Sequence, residues 1–285
     1  MRNKAAEFRR TLVALKRFLI FAPGFILFVL SFFFFFPSLN RRLPASLAVM
    51  VVYVITAYVT IPLFFRLYNI LKPPVHIPRY CVTPDGLACD PVNIAISGTR
   101  QELLDAMTLA GWHKADSRSL RSIFKMGLSI LLNHAYPNAP FSTLYLFGRG
   151  QDIGFQKPLG TSKSSSRRHH VRFWACIPAM MEGKNLEDAG FWEKLYPETD
   201  KGEVLWVGCA SRDVGIVPIK HNFQLTHRVG KDTDDEREII VADLKTTGHV
   251  EEVRYIKSGE PLVLKNRALS SSLSTDGTLA VVDLK

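Results

Sequence analysis

Three short phrases of this chain carry most of its potential chemistry. Arg167-Arg168-His169-His170-Val171-Arg172-Phe173-Trp174 combines two histidines with three arginines. Ser211-Arg212-Asp213 and His227-Arg228 follow, each at the expected end of an apolar run. Read as a strand, 168–175 alternates its side chains. Arg168, His170, Arg172 and Trp174 then share one face, and His169, Val171, Phe173 and Ala175 share the other. Strand ends bearing His, Asp and Arg can converge on one cleft. His170, His227 and Asp213 would there form an acid–base set beside Arg172, so His170, Arg172, Asp213 and His227 are the candidate catalytic residues. Arg149, Arg168, Arg212 and Arg228 are candidates for holding a phosphate or carboxylate.

The opposing reading of the same residues is a buried network. Arg172–Asp213 and Arg149–Asp152 pairs would satisfy one another inside a sheet and bind nothing. No metal site is expected, because adjacent His169 and His170 point to opposite faces of a regular strand. No cofactor is expected either. The polar tract 160–166 lacks the Gly-Lys-Ser/Thr ending of a phosphate loop. His113, His134, His221 and His249 are isolated, and Phe173, Trp174 and Trp206 read as core aromatics.

The elements that must position these residues follow from periodicity. Val92–Ile96 alternates as a strand. Thr99 with Glu102 forms a capping box that opens a helix ending at Gly111. A second helix is expected over Ser117–Leu132; its stripe of Ile123, Phe124, Leu128 and Leu131 could be read as a membrane-contacting face, but core packing is the expected role. Leu144–Phe147 and Ile153–Gln156 flank Gly148–Asp152 as a hairpin. Strands are expected at His169–Ile177 and Val204–Ala210, on either side of an acidic, aromatic insertion around Phe191-Trp192. Short strands at Val214–Ile219 and Phe223–Arg228 precede a helix capped by Asp232 and stopped by Gly248, then a strand over Val250–Ile256. This order predicts an α+β domain on a mostly antiparallel sheet, with helices near both ends.

Charge and hydropathy divide the chain. The formal net charge is +10. Residues 1–79 hold eleven Lys+Arg and one acid, Glu7, whereas residues 80–285 balance 25 bases against 25 acids. The domain therefore has no phosphate-backbone footprint, and nucleic acid is excluded as a partner. The excess surrounds two uncharged apolar stretches, 18–37 and 43–65, each long enough to cross a hydrocarbon core of about 30 Å. They predict a transmembrane helical hairpin over 18–66 with the lipid bilayer as partner; a signal peptide is disfavoured by the length of the first stretch. Basic flanks on both sides predict a multi-pass protein of the bacterial inner membrane with both termini cytoplasmic. A basic segment 1–17 precedes the hairpin. A Pro-rich linker, 67–91, follows it and leads to a domain over 92–257 and a tail or edge hairpin over 258–285. Cys81, Cys89, Cys176 and Cys209 lack metal-type spacing and read as free thiols.

Leu144–Asp152, Arg167–Trp174, Leu205–Ile216 and Thr226-His227-Arg228 with the acidic 232–238 segment occur together in one order. In that combination the chain, from about Pro91 to Tyr255, resembles the LssY-like C-terminal domain family. The resemblance implies a bacterial, membrane-associated domain, in some relatives joined to a PAP2-type lipid phosphatase. The PAP2 signature itself is missing: no Pro-Ser-Gly-His occurs, and the spacing from Arg212 to His221 is too long. The expected function is binding of an anionic ligand, a lipid headgroup or a partner protein at the membrane. The alternative is a hydrolase of a phosphorylated or lipid-derived substrate.

Overall fold

The structure, a computed structural model, describes residues 25–61, 63–64, 79–84, 86, 88–132, 134–160, 166–176, 204–218, 225–266 and 271–285. They divide between two compact units. Two helices form one, and the elements from residue 79 to Ile216 and from His227 onward form the other.

In the first unit, helix α1 covers 25–40 and helix α2 covers Ala45–Ile55, with Pro44 at its N-cap and a π-helical turn, Thr56–Thr60, after it. These helices correct the expectation of a transmembrane hairpin. No helix among the described residues is long and apolar enough to cross a membrane. The regular α-helical part of the second stretch stops at Ile55, where the π turn begins. The expectation of a multi-pass inner-membrane protein with cytoplasmic termini, which rested on that hairpin, is corrected with it. Residues 18–24 of the first stretch lie outside the described residues.

The second unit is α+β with mainly antiparallel sheets. Strands β1 (Tyr80–Val82) and β2 (Ala88–Pro91) lead to β3 (Ile94–Gly98) and helix α3 (Arg100–Leu109). Thr99 caps α3 as expected: Glu102 N donates to Thr99 Oγ1, and Thr99 N donates to the Glu102 carboxylate. Strand β4 (His113–Lys114), helix α4 (Leu120–Leu131), β5 (Tyr145–Leu146), β6 (Arg149–Gly150) and β7 (Ile153–Pro158) follow. Two long strands, β8 (Arg167–Cys176) and β9 (Val204–Pro218), precede β10 (Leu225–Val229) and helix α5 (Asp234–Lys245). Strands β11 (Val250–Lys257), β12 (Leu262–Asn266), β13 (Ser271–Thr275) and β14 (Thr278–Leu284) complete the chain order.

The main sheet has eight strands ordered β11-β14-β3-β9-β8-β7-β4, with β10 also on β9. Along the path from β11 to β4, only the β14–β3 pairing is parallel. Strands β2-β1-β5-β6 make a second, smaller sheet, and β12–β13 make a third.

Both faces of the main sheet are covered, which the alternation of β8 alone does not reveal. One face buries Ile94, Ile96, Val171 and Phe173 against Leu103 and Met107 of α3 and Ile240 and Leu244 of α5. The other buries Trp174, Val207, Cys209 and Val281 against Cys81, Cys89, Leu144 and Leu146 of the small sheet. All four cysteines are buried.

Three local expectations change. The 144–156 hairpin is tighter than its sequence suggests: β5 pairs with β6 around Phe147 and Gly148, both at positive φ, while β7 leaves to pair with β8. Ser211-Arg212-Asp213 does not end a strand, because β9 runs on unbroken to Pro218. The 160–166 tract and the 191–192 insertion fall mostly outside the described residues, as does His221.

Candidate functional site

The antiparallel register of β8 and β9 sets Arg168 opposite Asp213, His170 opposite Ser211 and Arg172 opposite Cys209. Opposed residues share a face, so Arg168, His170, Arg172, Ser211 and Asp213 project together toward the small sheet. Two segments meet them there. Strand β2 brings Asp90, and the connection before β5 brings Ala139 and Phe141. Gly154, opposite Arg172 on β7, leaves room for the Phe141 ring, which a Cβ at 154 would strike.

Each cation in this layer is closed by a neighbour. Arg168 Nε donates to Asp213 Oδ2 at 3.0 Å, and its Nη1 donates to Gln156 Oε1 at 2.5 Å and to the Ala139 carbonyl at 3.3 Å. Arg172 Nη1 donates to Asp90 Oδ2 at 2.9 Å. The Phe141 ring lies 4.8 Å from Arg168 Cζ and 4.9 Å from Arg172 Cζ, covering both guanidiniums. His170 sits between the pairs: Nε2 is 3.0 Å from Ser211 Oγ and 3.8 Å from Asp90 Oδ2, and Nδ1 is 3.7 Å from Asp213 Oδ2. His227 Nδ1 reaches 4.0 Å from the same Asp213 oxygen. Arg168, His170, Arg172, Ser211, Asp213 and Asp90 are all buried.

Two guanidiniums face two carboxylates, so the cluster is balanced. Burial works to raise the Asp213 pKa, but the positive fields of His170, His227 and Arg168 outweigh it and bring it down to about 2. Asp90 is likewise held below the usual carboxylate range, with His170 and Arg172 overcoming its desolvation. Burial lowers His227, with only partial compensation from Asp213. Burial also lowers Arg168, which Asp213 offsets.

The opposite face of the same strands is different. His169 Nδ1 lies 2.6 Å from Glu236 Oε2, and Arg212 Nη1 lies 3.6 Å from Glu236 Oε1. Arg167 and Arg228 are exposed, and neither side chain has an ion-pair partner among the described residues. His169 and His170 thus point apart, and no group of three His, Cys, Asp or Glu among the described residues could hold a metal.

The predicted residues therefore separate into three groups. His170, Arg172, Asp213 and His227 come together with Arg168, in a closed interior and not in a cleft. The expected Arg172–Asp213 pair is replaced by Arg168–Asp213 and Arg172–Asp90. Arg149 pairs with Asp152 at 2.5 Å and also donates to the Ala175 carbonyl. Arg212 and Arg228 belong to the other face. Sequence reasoning missed Ser211, Asp90, Gln156, Phe141 and Arg167 as members. Ser211 was within reach, two residues before Asp213 on one strand face. Asp90 was not, because the proline-rich stretch around it gives no strand signal.

A family model described as LssY C-terminus matches residues 75–279. No curated protein and no solved structure matches the chain. The match takes in β1 and β2, which supply Asp90, and every strand of the buried cluster. The chain belongs to the LssY C-terminus family.

Proposed function

We propose that the domain is an anion-binding module whose ligand, a phosphate or a carboxylate, is received by Arg167, Arg212 and Arg228. One observation carries this reading: the exposed guanidiniums of Arg167 and Arg228, without ion-pair partners among the described residues, share a face with the half-buried Arg212, which Glu236 holds at 3.6 Å. Arg167 opposes Val214 and Arg212 opposes His169, so the two arginines are diagonal neighbours on that face, at a typical separation of about 7–8 Å. His227 turns toward Asp213, so Arg228 alternates to the Arg212 side of β10. Arg168 and Arg172 are unsuited to the role, since each already holds a buried carboxylate.

The test is a titration of the full chain with inorganic phosphate, followed through the arginine Nε–Hε resonances by NMR. Saturable shifts at Arg167 and Arg228, abolished in R167Q/R228Q and absent with chloride at equal ionic strength, are expected. Shifts that do not saturate, or that chloride reproduces, overturn it.

A second reading rests on the Ser211–His170 contact. Ser211 Oγ, His170 Nε2 and Nδ1, and Asp213 follow the nucleophile–base–acid order of acyl transfer. His170 Nδ1, Arg172 Nε and His227 Nε2 are moreover buried with no hydrogen-bond partner among the described residues. The burial of all three members and the cover by Phe141 favour the binding reading. Ester and phosphate hydrolysis are compared between the wild type and Ser211→Ala, each with and without Phe141→Ala. Turnover that depends on Ser211 would favour the hydrolase; equal background rates would favour the binding module.

A further inference from the structure

We infer that helix α4 is an interfacial helix that lies on an anionic lipid surface with its leucine and phenylalanine face immersed. The inference goes beyond the arginine site and uses none of its residues. Its first ground is an inverted amphipathic orientation. The helix turns its small polar side inward, burying only Ser122 and Ser129. Leu120, Phe124 and Leu131 are 90%, 69% and 79% exposed, and Ile123 and Leu128 are exposed beside them. Their spacing makes one continuous stripe, and none of them joins either apolar core.

Local polar bonds satisfy the serines of the inward side. Ser119 caps the helix reciprocally with Ser122. Ser122 Oγ donates to the Ser117 carbonyl at 2.9 Å, and Ser129 Oγ donates to the His134 carbonyl at 2.6 Å.

Charge selects the occupant. Residues 117–132 contain Arg118, Arg121 and Lys125 and no acid. Arg121 and Lys125, one turn apart, lie on one flank of the stripe. Lys125 Nζ rests 4.1 Å from the centre of the Tyr136 ring, while the preceding acid, Asp116, accepts a hydrogen bond from Tyr136 Oη. A second copy would set cations against cations. An anionic lipid surface meets both the stripe and the flank, as in helices that lie in the plane of an interface. It requires no spanning segment.

The test uses the full chain with a nitroxide at Leu128→Cys or Leu131→Cys, and at Leu109→Cys on α3 as the control; the native thiols are buried. On phosphatidylglycerol vesicles, the α4 nitroxides should become oxygen-accessible and shielded from an aqueous nickel chelate, while the control stays in water. High salt should reverse this. R121Q/K125Q should weaken the immersion read at Leu131 by roughly 30-fold, from about 1 kcal/mol per basic residue near the surface. Labels that stay water-accessible on these vesicles overturn the inference. So does equal immersion on phosphatidylcholine. Shielding already present without lipid also overturns it, and would instead assign the stripe to another part of this chain or, if concentration-dependent, to a second copy. None of these outcomes bears on phosphate binding at Arg167 and Arg228.

Discussion

Arg168 and Asp213 illustrate how unequal the two ways of losing a buried pair are. Asp213→Asn leaves the Arg168 guanidinium buried without its counter-charge and should cost about 3–5 kcal/mol in urea unfolding. Replacing both, as R168M/D213L, should recover much of that loss. The same residues set the acid limb of stability. The folded Asp213 pKa of about 2 lies below its ordinary 3.8, so its contribution is complete above about pH 4 and is lost as pH falls toward 2. His227 is depressed below 6.5; its contribution also fades on acidification, beginning below about pH 6.5. Urea midpoints measured downward from pH 8 should therefore fall in two stages. His227→Gln should flatten the upper stage and, by removing one of the fields that depress Asp213, move the lower stage to higher pH; an unchanged profile would contradict the assignment. Alternation along β8 made the pairing of Arg168, His170 and Arg172 on one face legible in the sequence. Their partners were not legible, because Asp90 approaches from another layer and a single strand's pattern is silent about what covers it.

At the scale of elements, close approach and open space give opposite predictions for two glycines. A Cβ at Gly208 in β9 would come within 2.6 Å of Phe173 and 2.7 Å of Ile94. Gly208→Ala should cost about 1–3 kcal/mol by overpacking. Gly127 in α4 has nothing within 4 Å of such a Cβ, so Gly127→Ala should stabilise by up to about 1 kcal/mol. Thermal melts of the two variants should move in opposite directions. The box at Thr99 and Glu102 was readable because both partners are local. The stripe of α4 was readable as a period, yet its expected direction was wrong: periodicity defines an apolar face without saying whether the body lies behind it. Strand β9 was read as two because Ser-Arg-Asp resembles a loop, although β8 pairs with it from Leu205 through Ser-Arg-Asp to Val214.

For the whole molecule, the α+β class and the family were legible, since both rest on many residues in a fixed order. The transmembrane hairpin was the error at this scale. Apolar length was counted along the sequence, whereas no helix among the described residues is long and apolar enough to cross a membrane. Strand β14 was equally hidden: the segment 258–285 looks weakly patterned, yet β14 lies inside the main sheet, between β11 and β3. Its Leu279, Ala280, Val281 and Val282 are buried from both sides. Deleting residues 278–284 should abolish cooperative unfolding, read by circular dichroism against urea, whereas loss of only an edge strand would leave a shifted transition.

That placement also orders events during synthesis. Strand β3 leaves the ribosome long before β14, its parallel neighbour, and until residues 278–284 emerge β3 and β11 each present an unpaired edge. The sheet therefore closes only after translation has passed Leu284. Nascent chains carry those open edges until residues 278–284 emerge, and closure through so distant a pairing is intrinsically slow.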